Sequence, residues 1–277
     1  MNFGFVTCVQ LGFSCMEAIY DVGGELKLAI TLNDDQAVNK SGRVYIDQFC
    51  RENGIPLVKS SHINNAECIS AIKSHDIDWL FIIGWSQIAN KELLNTPNKG
   101  CIGIHPTLLP IGRGRAAIPW AIIKGLNKTG VTMFKLEEGV DTGDVIAQRE
   151  IPLSNQSNAT WLYEEVNKAH VDIIKSSFHD IANGTAQLHK QDESRATIWE
   201  GRKPEDGLIN LDGSVFEADA LVRATTKPYP GAFYFDDNNN KIIVWEASID
   251  EINDSEKNIS FHDGVLNLIK IENKLSR

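Results

Sequence analysis

Short apolar runs alternate with stretches of helical length along the first half of the chain. Phe3 to Val9, Leu26 to Leu32, "IPLV" from Ile55, "WLFIIG" from Trp79 and "CIGI" from Cys101 are apolar, as strands buried on both faces require. Between them lie "CMEAIYDVG", "SGRVYIDQFCRENG", "AECISAIKSH" and "NKELLN", which the spacing predicts as helices. Strands and helices in this alternation predict β-α-β units with right-handed crossovers: an α/β fold with a Rossmann-like, mostly parallel sheet and helices on both faces. "GVTMFKL" and "DVIAQREIPL" follow as two more strands, joined by "EEGVDTG", whose glycines and aspartate suit a tight turn. Next, Trp161, Val166, Ala169, Ile173, Ile174 and Phe178 recur at roughly helical period up to Asn183-Gly184, a C-cap pair. That helix is expected to close a first domain spanning residues 1–184.

From Thr185 the pattern changes. No strong helix is predicted, while "LVRATTKPYPGAFYF", "NKIIVWEASI" and "GVLNLIKIE" read as strands bounded by Pro, Asn and Gly turns, with "DDNNNK" as a hairpin tip. Residues 185–277 are therefore expected to form a linker and a small β-rich domain.

Composition narrows the functional classes. At 277 residues, 42% hydrophobic and 23% charged, the chain is long enough to bury a sizeable core and too apolar to be disordered. Its formal charge of −10, from 27 Lys and Arg against 37 Asp and Glu, repels a phosphate backbone and disfavours a nucleic-acid partner. Small anions remain compatible, because two placed arginines can hold a phosphate against an acidic background. Cys8, Cys15, Cys50, Cys68 and Cys101 are scattered and odd in number, without C-x-x-C spacing, so they read as reduced thiols rather than a disulfide framework or zinc site. The apolar start "MNFGFVTCVQLGF" lacks a basic leader and a long apolar stretch. It reads as a first strand, giving the expectation of a cytoplasmic protein with no membrane partner.

In open α/β sheets ligands bind at the carboxyl ends of strands, so the loops after strands hold the candidate chemistry. His105 ends "CIGI", and Pro106 and Pro110 stiffen the loop after it. It reads either as a structural hydrogen-bonder or as a general base, the second requiring a carboxylate such as Asp141, from another strand-linking loop, to orient the imidazole and favour its protonated form. Asp141 also reads as a plain turn former. Arg113 and Arg115, set among glycines, read as a solvated pair or an anion site. Trp85, Ser86 and Gln87 follow a strand and suit a planar ring, with core packing the competing reading for Trp85. "CVQLGFS" (Cys8 to Ser14) is the first strand-to-helix turn and lacks G-x-G-x-x-G, so a dinucleotide cofactor is not supported. No His, Cys and carboxylate cluster has metal-ligand spacing.

Together, "GIHPTLLP" (Gly103 to Pro110), "RGRAAIPWAIIKG" (Arg113 to Gly125), "LEEGVDTGDVIAQ" (Leu136 to Gln148), "GRKPEDGLINL" (Gly201 to Leu211) and "LVRATTKPYPGAF" (Leu221 to Phe233) resemble the formyltransferase family that uses N10-formyltetrahydrofolate. The resemblance covers most of the chain and is most similar to bacterial enzymes that formylate amino sugars carried on nucleotides. It implies that His105 and Asp141 are catalytic and that Trp85, Ser86, Gln87, Ile88, Val140 and Asp141 line the folate site. Gln10, Arg113 and Arg115 would then meet a nucleotide-sugar, a 4-amino-4,6-dideoxy sugar on UDP or dTDP made for surface glycans such as lipopolysaccharide, with a pseudaminic-acid precursor one such sugar. No metal is implied, and a homodimer is what relatives suggest. Methionyl-tRNA formyltransferase is the runner-up, set against the acidic run of Glu200 to Arg277. A formyltetrahydrofolate hydrolase, or a non-catalytic binder of folate or nucleotide-sugar, is also compatible with these residues. One departure matters: the family's catalytic asparagine, two residues before the histidine, is Gly103 here. A backbone N–H or a side chain such as Gln87 is expected to replace its amide.

Overall fold

The computed structural model describes residues 1–37, 42–250 and 257–274. In the first half β1 (Phe3–Val6), α1 (Gln10–Asp21), β2 (Leu28–Leu32), α2 (Asp34–Ala37), α3 (Asp47–Glu52), β3 (Leu57–Ser60), α4 (Ala66–Ser74), β4 (Trp79–Ile82), α5 (Lys91–Leu94) and β5 (Gly100–His105) alternate as the hydrophobic pattern requires. Then come β6 (Arg113–Gly114), α6 (Ala117–Ile123), β7 (Lys128–Lys135), β8 (Val145–Pro152) and α7 (Ala159–Asn183). The chain ends with β9 (Ile198–Trp199), α8 (Val215–Thr225), β10 (Ala232–Phe235), β11 (Lys241–Ser248), β12 (Asn258–Phe261) and β13 (Gly264–Lys274).

The main sheet has the order β3-β2-β1-β4-β5-β7-β8. Its first five strands pair in parallel, whereas β7 runs antiparallel to β5, with His105 opposite Thr132. The second sheet is a four-stranded antiparallel one of order β10-β11-β13-β12, curled by register shifts around Glu246. The chain packs as two compact units. One is Met1–Arg113, Gly130–Ile151 and Val166–Ile198; the other is Gly114–Thr129, Pro152–Glu165 and Trp199–Arg277. Val6, Leu28, Ile30, Ile72 and Leu80 belong to the core of the first unit, and Val215, Val222, Ala232, Val244 and Leu266 to that of the second.

Four local differences from the sequence expectations have physical causes. Helix α1 begins at Gln10 rather than Cys15, because Gly12 lets the first turn sit against β1: a Cβ there would lie 1.9 Å from Thr7 Oγ1. The helix expected over 41–54 is reduced to α3, since Val44 and Arg43 pair instead with the first turn, through Val44 N–H to Cys8 O at 3.1 Å and a bridge from Arg43 to Val9. Ser41, at the start of that expected helix, lies outside the described residues. Helix α6 arises within a glycine- and proline-bearing stretch, its Pro119 falling in the first turn, where no backbone N–H is needed.

The largest correction is α8. It takes the first five residues of the strand expected over Leu221 to Phe235, and irregular chain over 226–231 leaves only β10 extended. Ser214 caps it by accepting the Phe216 N–H, and Val215, Ala218 and Val222 supply a buried face at helical spacing. By contrast α7 matches its predicted span: Asn158 Oδ1 accepts the Trp161 N–H at one end, and Gly184 ends it with φ of +73°. The "DDNNNK" tip closes between β10 and β11, with Asp236 accepting from Asn238 and Asn240.

Candidate functional site

β5 is buried along its whole length, and His105 stands at its carboxyl end, 8% exposed. The loop after it is stapled to the neighbouring strands. The Thr132 hydroxyl accepts from Leu109 N–H at 3.0 Å and donates to Thr107 O at 2.7 Å, while Gln148 Nε2 donates to Leu109 O at 2.9 Å. This brings Gly112 back onto the histidine: its carbonyl lies 2.8 Å from His105 Nε2. A carbonyl only accepts, so Nε2 carries the hydrogen and Nδ1 is the nitrogen left to exchange a proton. Gly112 itself sits at φ +73° and donates to Thr197 Oγ1 at 2.8 Å.

Nδ1 faces the Asp141 carboxylate, 3.5 Å from Oδ2. Asp141 is a turn residue at φ +53°, and its carboxylate lies beside the histidine. A proton gained at Nδ1 is therefore held against a negative charge, the arrangement a general base needs. A second imidazole, His170 on α7, is buried within the same unit. It donates from Nδ1 to Val166 O at 2.7 Å, and burial, reinforced by His105, lowers its pKa to about 4.

The expected lining residues divide. Ile88 and Val140 stand 83% and 59% exposed on loops tied together by the Lys91–Glu138 ion pair at 2.9 Å; such apolar side chains suit a flat heteroaromatic ligand. Ser86 is exposed on the same loop, while Trp85 packs with Leu136 against the core, in line with its bland reading. The Gln87 amide is anchored by its neighbours: Oε1 accepts from Ile63 N–H and one Nε2 hydrogen goes to Ser61 O, both at 2.9 Å, while Nε2 carries a second hydrogen. At Gly103 a Cβ would lie 2.7 Å from Leu136 Cδ2, so a side chain there has to push the end of Leu136 aside.

Arg113, expected to meet phosphate, is buried and makes four hydrogen bonds within the protein. Its Nη1 and Nη2 donate to Glu193 at 2.8 and 2.6 Å, and its Nε and Nη2 to Gln191 Oε1 at 3.2 and 2.7 Å. Arg115 is exposed. Close to it in the second unit, Arg202 and Lys124 lie 5.0 and 5.2 Å from the Trp120 ring centroid. Gln10 is exposed at the start of α1, its Nε2 donating to Ser14. Sequence reasoning missed Gly112, Gln191, Glu193 and Thr197, which carry no periodic signal and act across separations of up to 85 residues. Among the described residues no group of three or more His, Cys, Asp or Glu is placed to hold a metal ion, and no helix is long and apolar enough to cross a membrane.

A buried histidine beside a half-buried aspartate thus stands at the carboxyl end of a Rossmann-like sheet, with a curled antiparallel sheet later in the chain. Residues 27–177 match the formyl transferase family and residues 202–274 its C-terminal domain. The chain is 32% identical over 212 residues to a methionyl-tRNA formyltransferase of Ruminiclostridium cellulolyticum, covering 76% of this chain and 67% of that protein. Its fold is similar to a 4-N formyltransferase from Francisella tularensis, with TM-score 0.71, 22% identity and coverage of 91% and 98% of the two chains. It is also similar to WlaRD, a sugar 3N-formyltransferase solved with dTDP and 5-N-formyl-THF, with TM-score 0.69, 20% identity and 99% coverage of both. The chain belongs to the formyl transferase family and is a formyltransferase enzyme.

Proposed function

We propose that this formyltransferase moves the formyl group of N10-formyltetrahydrofolate onto the amine of a nucleotide-linked amino sugar, a 4-amino-4,6-dideoxyhexose on UDP or dTDP, in surface glycan synthesis. The His105–Asp141 pair carries the chemical half of the reading. The folate supplies an activated formyl carbon for the amine to attack. His105 takes the proton of the resulting ammonium at Nδ1, the nitrogen that the Gly112 carbonyl leaves bare, and Asp141 stabilises the imidazolium across 3.5 Å; the carbon–N10 bond then breaks and the departing tetrahydrofolate nitrogen takes that proton. Ile88, Val140 and the backbone of their loops hold the folate ring. Negative charge growing on the formyl oxygen needs a donor. With glycine at 103, that donor is a backbone N–H or the second hydrogen of Gln87 Nε2.

The acceptor is argued from charge. Glu200 to Arg277 contains 15 Asp and Glu against 9 Lys and Arg, a surface suited to a small ligand rather than to RNA. Two phosphates need only a local cluster of cations, and exposed Arg115 with Arg202 and Lys124 around Trp120 supplies one. WlaRD, which shares the fold, was solved with dTDP. Methionyl-tRNA is the acceptor to set beside the sugars, because the relative from R. cellulolyticum carries that name.

The test is mass spectrometry of purified protein with N10-formyltetrahydrofolate and a panel of UDP- and dTDP-linked 4-amino sugars, with charged initiator tRNA and an amine-free control. Formylated sugar is expected, and His105→Ala is expected to lower its rate by about 100-fold or more. Formate without sugar product would make the protein a hydrolase, formylated tRNA would overturn the acceptor, and no turnover of any kind would make it a binder.

A further inference from the structure

We infer that Gln191 is a positioning residue that sets the spacing of His105 and Asp141; the inference rests on the formyl-transfer reading above. The residue lies in a segment between α7 and β9 to which the sequence assigned no role. Its amide uses both ends. Nε2 donates to the carbonyls of Asp141 and Gly143, each at 2.8 Å, and Oε1 accepts from Arg113 Nε and Nη2.

These bonds close a circuit between the two halves of the pair. Arg113 follows Gly112 in the chain, and the Gly112 carbonyl is what holds His105 Nε2. Thr197 clamps the same spot, accepting Gly112 N–H at Oγ1 and Arg113 N–H at its carbonyl. The path from carboxylate to imidazole therefore runs Asp141, Gln191, Arg113, Gly112, His105, with Glu193 holding the guanidinium from its other side.

Two features make this circuit matter for the chemistry. Asp141 is held at φ +53°, a backbone region that a non-glycine residue keeps only where its surroundings over-determine it. Gln191 does so by gripping the carbonyls of residues 141 and 143. In addition, the 3.5 Å from Nδ1 to Oδ2 lies at the limit of a charge-assisted contact, so a displacement of about 1 Å decides whether Asp141 supports the imidazolium.

Gln191→Glu separates the two ends of the amide: it keeps oxygens for Arg113 and removes the N–H groups that grip the Asp141 turn. Gln191→Leu removes both. In the full-length protein each variant is expected to lower kcat about 10- to 100-fold with KM for both substrates within about threefold. In an Asp141→Asn background Gln191→Glu is expected to change kcat less than about twofold, because it acts through Asp141. The same full effect in that background, or an unchanged kcat in wild type, would overturn the inference. Ring-15N NMR reads the circuit without turnover: the His105 Nδ1 resonance of Gln191→Glu is expected to move toward its position in Asp141→Asn. A resonance that stays in place overturns the positioning role. If it moves while the wild-type protein formylates no acceptor, the positioning stands and only the transfer reading falls.

Discussion

At the scale of single residues the departure at Gly103 explains itself in packing. Where the family pattern has an asparagine, β5 has no side chain, and Leu136 fills the space beside it. The loss is thus compensated in volume, and restoring the asparagine alone is not expected to improve the enzyme. Gly103→Asn forces Leu136 aside, an overpacking that costs about 1–3 kcal/mol. The variant should melt a few degrees lower in calorimetry, without a gain in kcat. Gly103→Asn with Leu136→Ala should recover much of the lost melting temperature. If the single variant is as stable as wild type, Leu136 does not occupy the site. Asp141 is a turn former at φ +53° whose carboxylate lies beside the histidine.

At the scale of elements α7 joins stability to pH. His170 is buried on it, and its pKa is lowered to about 4, first by burial and then by His105. The unfolded chain, with an ordinary imidazole near 6.5, binds the proton more readily than the folded one. Stability from this source is therefore complete above about pH 6.5 and is lost as the pH falls toward 4, by up to about 3 kcal/mol. Urea unfolding of wild type and His170→Gln across that range tests it: the advantage of wild type over the variant should shrink as the pH falls. Parallel curves would mean that His170 does not titrate with unfolding. Helix α8 shows the opposite relation of element to sequence. Its face of Val215, Ala218 and Val222 is short, and the threonines and prolines after it imitate a strand, so only its cap and its core contacts decide it.

For the whole molecule, burial of the thiols is the property open to the simplest test. All five cysteines are free and buried; burial pushes Cys50 up to about 11 and Cys101 up to about 12, which leaves almost no thiolate at neutral pH. Ellman's reagent should find no fast-reacting thiol in the native protein and five after guanidinium unfolding. One fast native thiol would show a site that opens. The charge of −10 acts at this scale too, since it weakens any encounter with a polyanion.

The amino-acid sequence by itself determined the alternation of strands and helices, the span of α7, the hairpin tip and the placing of His105 at a strand end, because each depends on periodicity or on turn chemistry within a few residues. Only the tertiary structure decided which polar groups remain free for a ligand. Gln87 and Arg113 have the right chemistry for a site, yet the folded chain turns the first toward Ser61 and Ile63 and the second toward Gln191 and Glu193. Those partners lie 24 to 80 residues away. A hydrogen bond across such a separation leaves no trace in local spacing, and for the same reason Gln191 looked like linker until the fold brought it against Asp141.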